Sequence, residues 1–226
     1  MKPAKIYVGD VLDRSWKTAR KPIWIVSAIL LLGGLLSSEI SNKFLPNDTI
    51  TKLAESGQIT DAFSMLIGQS YLLIIIAIIQ TIINAGICRM VLARSKGDTT
   101  YTIVEAYRYS FRDLLRFIAV SLLVSIITAI GYFLLIIPGI IATVYLLFAP
   151  YYILEHPEAG ITEALRKSYK MASGNLMPLL SLGIISLLLI IVGYFFFYVP
   201  GFIAEGYAYF MLADCYRQLE LTAWED

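Results

Sequence analysis

Apolar runs about as long as a bilayer's hydrocarbon core is thick recur along this chain, none with more than one charged residue. They cover Pro22 to Ser38, Leu66 to Cys88, Phe117 to Ile137, Gly139 to Leu154, Leu176 to Val199 and Gly201 to Ala213. A core about 30 Å thick takes about 20 apolar residues per helical crossing, so the pattern predicts an all-α integral membrane protein of six crossings, one membrane domain over 1–226. Composition agrees. With 58% apolar residues, 15% charged and a mean hydropathy of +0.72, polar groups are too few to wet a globular surface. Met1 to Ser38 is long for a cleaved signal peptide and carries Asp10 and Asp13, so its apolar run is read as a membrane helix.

The placement of charge sets direction, because Lys and Arg in short loops near helix ends resist translocation. With the N-terminus inside, sixteen of the 18 cations fall on the inner side and only Lys43 and Lys52 outside. Both termini are therefore predicted to be cytoplasmic. A net charge of +1 offers no long-range field for nucleic acid. Cys88 and Cys215 lie at inner helix ends, where thiols stay reduced, and the single histidine, His156, cannot build a multi-histidine site. No metal and no cofactor are predicted.

A repeat organises the crossings. The segment GYFLLIIPG at 131–139 returns as GYFFFYVPG at 193–201, and EAYRYSFR at 105–112 returns as EALRKSYK at 163–170, with DVLDRSWK at 10–17 as a third relative. The chain reads as three units, approximately 7–95, 100–156 and 160–219, each a cytoplasmic amphipathic helix followed by a helix hairpin. Repeats of this kind suggest three parallel hairpins about a pseudo-threefold axis. In the third unit Ile161, Leu165, Tyr169 and Ala172 fall on one helical face and Glu163, Arg166, Lys167 and Lys170 on the other, as suits the headgroup layer. Thr102 and Glu105 have capping-box spacing, and Gly174 with Asn175 is a stop signal.

Pro-Gly explains the turns in sequence terms: Pro fits a first helical turn, where its missing N–H is not needed, and Gly removes a side chain. Tyr132, Tyr194 and Tyr198 are candidate interfacial anchors. The first unit departs from this plan, since 39–65 reads as an extracytoplasmic loop holding a capped helix from Thr49 to Ser56 before Gly57.

The combination LLIIPGIIATVYLLFAPYYI followed by EALRKSYKMASGN resembles a group of bacterial multi-pass membrane proteins of unknown function, related to the membrane domain of some glycerophosphoryl diester phosphodiesterases. The likeness covers roughly 100–220 and rests on the I-P-G turn and on Glu163, Ala164, Ser168, Gly174 and Asn175. It implies a bacterial inner-membrane protein connected with lipid or envelope biology. The phosphodiesterase activity does not carry over, because the chain has no room for that soluble domain.

Polar groups at membrane depth are costly and therefore candidate functional residues. Glu205 lies in the last crossing, with Thr143 as its repeat partner and Gly206 beside it; Gln80, Asn84 and Cys88 form a stripe on the second. Glu205, Gln80, Asn84, Thr143 and Tyr207 are the expected substrate or ion pathway. Arg14, Lys17, Arg108, Arg112, Arg166, Lys167 and Lys170, interleaved with aromatic residues, are candidate contacts for anionic headgroups. Arg89 and Asp214 lie near inner helix ends, where they could pair. No phosphate loop, HExxH or CxxC motif supports an enzyme. The sequence reading is a non-enzymatic membrane protein that binds or transports a lipid-like or amphipathic small molecule, a peptide included, in contact with membrane lipids. Its alternative is an adaptor organising anionic lipid or an envelope partner.

Overall fold

The computed structural model describes residues 5–44, 52, 55–56, 59–196 and 198–223. Among these the helices are α1 (Val8–Ala19), α2 (Ile23–Phe44), α3 (Ile59–Ser95), α4 (Ile103–Ala106), α5 (Phe111–Leu134), α6 (Ile136–Leu146), α7 (Ala149–Glu155), α8 (Ile161–Ala172), α9 (Leu176–Phe196) and α10 (Tyr198–Ala223), with no strand among the described residues. Five segments are long and apolar enough to cross a membrane: Ile23–Ser41, Tyr71–Ser95, Phe111–Leu134, Ile136–Glu155 and Leu176–Phe196. Leu176–Phe196 has a mean hydropathy of 2.6 in a stretch only 11% buried within the protein. Phe133 is 92% and Phe195 83% exposed. Side chains this apolar and this uncovered require an apolar solvent. α10 is not among the five, because Glu205 and the charged end from Asp214 to Glu220 dilute its hydropathy.

Several expected boundaries move. α3 is 37 residues long, about 55 Å at 1.5 Å per residue, and α2 runs on to Phe44, so helix occupies much of the expected loop 39–65. A helix needs apolar residues only while it is in lipid; beyond it, polar residues continue the same hydrogen-bond ladder in water. The capped helix expected from Thr49 to Ser56 falls largely outside the described residues. The reversal before the fourth run is at Leu135, in extended conformation, which places Pro138 and Gly139 inside the first turn of α6 rather than between helices.

The second amphipathic helix is also shorter than its sequence relatives. α4 ends after one turn, and Ser110 precedes α5 in extended conformation, whereas its counterparts Ser15 and Ser168 lie within twelve-residue helices. The Thr102–Glu105 capping box forms as expected. What stops the helix is tertiary: the Tyr107 hydroxyl donates to Ile83 O at 3.1 Å, with the ring against Gly86, and Arg89 Nη1 donates to Arg108 O at 2.9 Å.

The fourth run breaks where α6 ends and α7 begins. Pro150 lacks an N–H and its ring excludes a helical carbonyl four residues back. Ser168 of α8 mends the gap: its Oγ accepts from Phe148 N at 3.0 Å and donates to Tyr145 O at 2.7 Å.

Close glycine contacts fix the helix pairs. α5 packs along α6, and α9 along α10. A Cβ on Gly131 would lie 2.9 Å from Gly139 Cα, and one on Gly193 would lie 2.8 Å from Gly201 Cα. The Tyr132 ring covers Gly139 and the Tyr194 ring covers Gly201. The two nine-residue segments thus repeat because two glycines and a tyrosine build one backbone-to-backbone contact twice. Elsewhere α10 packs on α1, α2 and α3, α3 on α2, α4 and α5, and α6 on α8. The largest fully buried side chains, among them Tyr216, Phe148, Phe210, Ile87 and Val11, gather at the end of the bundle that carries the short helices.

Candidate functional site

Glu205 is half-buried on α10, where the Tyr194 hydroxyl donates to its Oε2 at 3.2 Å. Sixty-two residues earlier in the sequence, Tyr132 OH and Thr143 Oγ1 stand 3.3 Å apart in the corresponding places. Thr143 also donates to Gly139 O at 2.8 Å. Gly206 lets α10 approach α2, where a Cβ would sit 3.1 Å from Ser27 Oγ.

The remaining residues of the expected pathway join helices instead of meeting Glu205. Gln80 Nε2 donates to Gly33 O at 3.0 Å and to Ser37 Oγ, tying α3 to α2. Asn84 Oδ1 accepts from Tyr209 OH at 3.0 Å, tying α3 to α10. Tyr207 turns to α1, its hydroxyl donating to Leu12 O at 2.8 Å and its ring meeting Trp16 edge-on at 5.7 Å. Cys88 is buried. In lipid a polar side chain finds its best partner on the next helix, and these distances put Gln80, Asn84 and Tyr207 in such a bond.

Arg89 and Asp214 do not pair. Arg89 is held by the Arg108 carbonyl and lies 5.0 Å over the Tyr109 ring. Asp214 Oδ2 instead meets Arg14 Nε at 3.5 Å and accepts from Gln218 Nε2 at 2.7 Å. Similar depth at helix ends did not fix the direction each side chain takes around its helix. Burial holds the Asp214 carboxyl above its ordinary range, against the opposing pull of Arg14.

The candidate headgroup cations are dispersed. Arg14 serves Asp214, Lys17 pairs with Asp13 at 2.5 Å, and Arg108 and Arg112 are exposed near the start of α5. On α8, Arg166 and Lys170 are exposed while Lys167 is partly covered; desolvation first and the charge of Lys170 second lower the Lys167 ammonium.

Two arrangements had no signal in the motifs. The first is an ionic cluster joining the ends of α3, α7 and α10: Lys96 Nζ lies 2.5 Å from Glu155 Oε1, and Arg217 Nη1 lies 2.8 Å from Glu220 Oε2. Burial, then the neighbouring Glu155 carboxylate, raise Glu220 above the ordinary carboxylate range. The second is an apolar cavity of about 660 Å³ between α6 and α9, floored by α10. Its walls include Ile141 and Thr143 on α6, Gly183 and Ile184 on α9, and Ala208 and Leu212 on α10. Tyr132 and Thr143 are among its few polar groups, so the Tyr132–Thr143 contact lines this groove while its counterpart at Glu205 does not.

Among the described residues no three His, Cys, Asp or Glu side chains converge to hold a metal ion. Comparison with protein-family models, with curated proteins and with solved structures returns no match to this chain.

Proposed function

We propose that this chain is a non-enzymatic integral membrane protein that binds a lipid-like, amphipathic molecule sideways from the bilayer, in the groove between α6 and α9. The observation that carries this reading is the groove itself: about 660 Å³ of apolar space between two of the five apolar helices. Ligand pockets for small molecules occupy about 300 to 1,000 Å³ and pair an apolar lining with a few polar groups. An acyl chain is the occupant a membrane supplies at such a place, and the Thr143 and Tyr132 hydroxyls offer it polar contact.

Six crossings in three parallel hairpins account best for the packing. α10, at 26 residues, is about 39 Å long and lies along α9, so it returns through the bilayer beside its neighbour. The returning helix of each unit meets the short helix of the next: α3 meets α4, α6 meets α8, and α10 meets α1. Trp16 on Tyr207 and Tyr169 on Tyr145, with ring centroids 5.7 and 4.7 Å apart, pair motif aromatics with tyrosines 62 residues apart in the repeat. This order supports the reading of a pseudo-threefold ring. α10 and α2 close their junction through Gly206 and through Phe202 against Gly34, while the groove marks the junction of α6 with α9. The excess of cations beside the short helices favours a cytoplasmic placement for both termini, and the family resemblance favours a bacterial inner membrane.

Gly183→Leu tests the reading. A Cβ at Gly183 meets nothing within 4 Å, so the larger side chain fills the groove without disturbing the helices. Protein purified in mild detergent should lose its co-purified lipid-like molecule, measured by mass spectrometry, while keeping its unfolding temperature. Unchanged occupancy would refute binding in the groove.

A further inference from the structure

A second cavity, of about 690 Å³, lies where the end of α1 meets the start of α2 and the segment following α3. Lys17, Arg20, Lys21 and Arg94 line it together with Thr18 and Thr99, and no carboxylate is among the lining residues. Lys17 has a partner in Asp13. Among the described residues Arg20 and Lys21 form no ion pair.

Arg94 is fixed in place. Its Nη1 donates to Thr99 O and its Nη2 to Tyr101 O at 3.1 Å, while its buried Nε has no acceptor among the described residues. The segment that holds it is itself held: Gly97 has φ +87°, and Asp98 Oδ1 accepts from Thr100 N at 2.9 Å, Thr100 Oγ1 at 2.7 Å and Tyr101 N at 3.1 Å. The nearby acid is thus engaged in the backbone of its own loop. Four cations with two hydroxyl side chains in one cavity, one of them a guanidinium already oriented, suit a tetrahedral oxyanion better than a carboxylic or neutral ligand. The candidate spans Ile23–Ser41 and Tyr71–Ser95 begin and end beside it, so in a bilayer spanned by them the cavity would face the headgroup layer.

We propose that this cavity is a phosphate-binding site, taking the phosphate of an anionic lipid headgroup or a soluble phosphate ester, with Arg94 as its fixed donor and Arg20 and Lys21 as its flexible ones. It shares no lining residue with the groove between α6 and α9 and does not rest on it.

The test uses the full chain in nanodiscs and in detergent. In nanodiscs, retention of phosphatidylglycerol over phosphatidylcholine is read by native mass spectrometry. In detergent, inorganic phosphate and glycerol phosphate are titrated against the unfolding temperature. Each basic residue at a lipid surface contributes on the order of 1 kcal/mol, so Arg20→Gln with Lys21→Gln should reduce phosphatidylglycerol preference about 30-fold. Both side chains are exposed, so the fold survives. Arg94→Lys, which keeps the charge and loses the planar donor, should weaken binding while leaving the wild-type helicity. Headgroup preference lost in both variants assigns the lipid source. A phosphate-dependent rise in unfolding temperature, lost in both variants without any headgroup preference, assigns the soluble one. If neither binding changes, or if Arg166→Gln with Lys167→Gln lowers it equally, the cavity is not the site. Gly183→Leu should leave headgroup preference intact, so failure here and failure of the groove are separable.

Discussion

The Tyr194 hydroxyl donates to Glu205 at 3.2 Å, and sixty-two residues earlier in the sequence Tyr132 stands 3.3 Å from Thr143. A carboxylate and a threonine hydroxyl thus occupy one position and serve one partner type. The expected outcome follows from the hydrogen bond. Glu205→Gln keeps an acceptor for Tyr194 and should leave the unfolding midpoint unchanged, while Glu205→Leu should lower stability by about 1–3 kcal/mol by stranding the hydroxyl. Urea or thermal unfolding in detergent, followed by tryptophan fluorescence, distinguishes the two.

Gly131→Ala and Gly193→Ala should each destabilise by about 1–3 kcal/mol, since the added methyl meets backbone that cannot rotate away. Gly183→Ala, facing open space, should be neutral or slightly stabilising, because alanine is the better helix former. The ranking of the three unfolding temperatures checks this.

Ser168→Ala removes both the acceptor for Phe148 N–H and the donor to Tyr145 C=O at the helix break. Phe148 is fully buried, so its amide has no route to water and the loss should be about 1–3 kcal/mol. Hydrogen exchange at Phe148 should accelerate far more than at Leu179.

Hydrogen bonds from the Thr100 side chain and backbone hold the Asp98 carboxyl below its ordinary value. A depressed folded value means that the contribution is complete above the unfolded pKa, about 4, and is lost as pH falls through the folded one. Protection of the Thr100 amide should therefore be flat above about pH 4 and decline below it. Asp98→Asn keeps an acceptor oxygen and should abolish that dependence.

Long apolar helices are legible because hydropathy sums over some twenty residues and tolerates errors at any one. Five of the six expected runs correspond to segments apolar enough to cross; the sixth, Gly201 to Ala213, belongs to a helix made more polar by Glu205 and the charges beyond it. The repeated glycines are legible too, since only close approach explains Gly131 and Gly139 reappearing as Gly193 and Gly201. Azimuth is not. Nothing in a linear pattern tells whether Asp214 turns to Arg89 or to Arg14, or that Tyr207 leaves Glu205 for Leu12. The groove left no mark for another reason: Ile141 and Gly183 have the same character whether they face an acyl chain or another helix. Asn175 reads as a helix stop, yet its buried Oδ1 also accepts from Ile6 N at 2.9 Å, a contact 169 residues apart in sequence.

That last bond, with the one from Tyr207 to Leu12, has a consequence for biogenesis. A nascent chain emerging from the ribosome exposes α1 and α2 long before α8 to α10 exist to receive them. The faces of α1 and α2 that meet α10 are therefore filled only once the last helix has been made. Truncation before Tyr207 would remove the donor to Leu12 and leave that face of α1 uncovered.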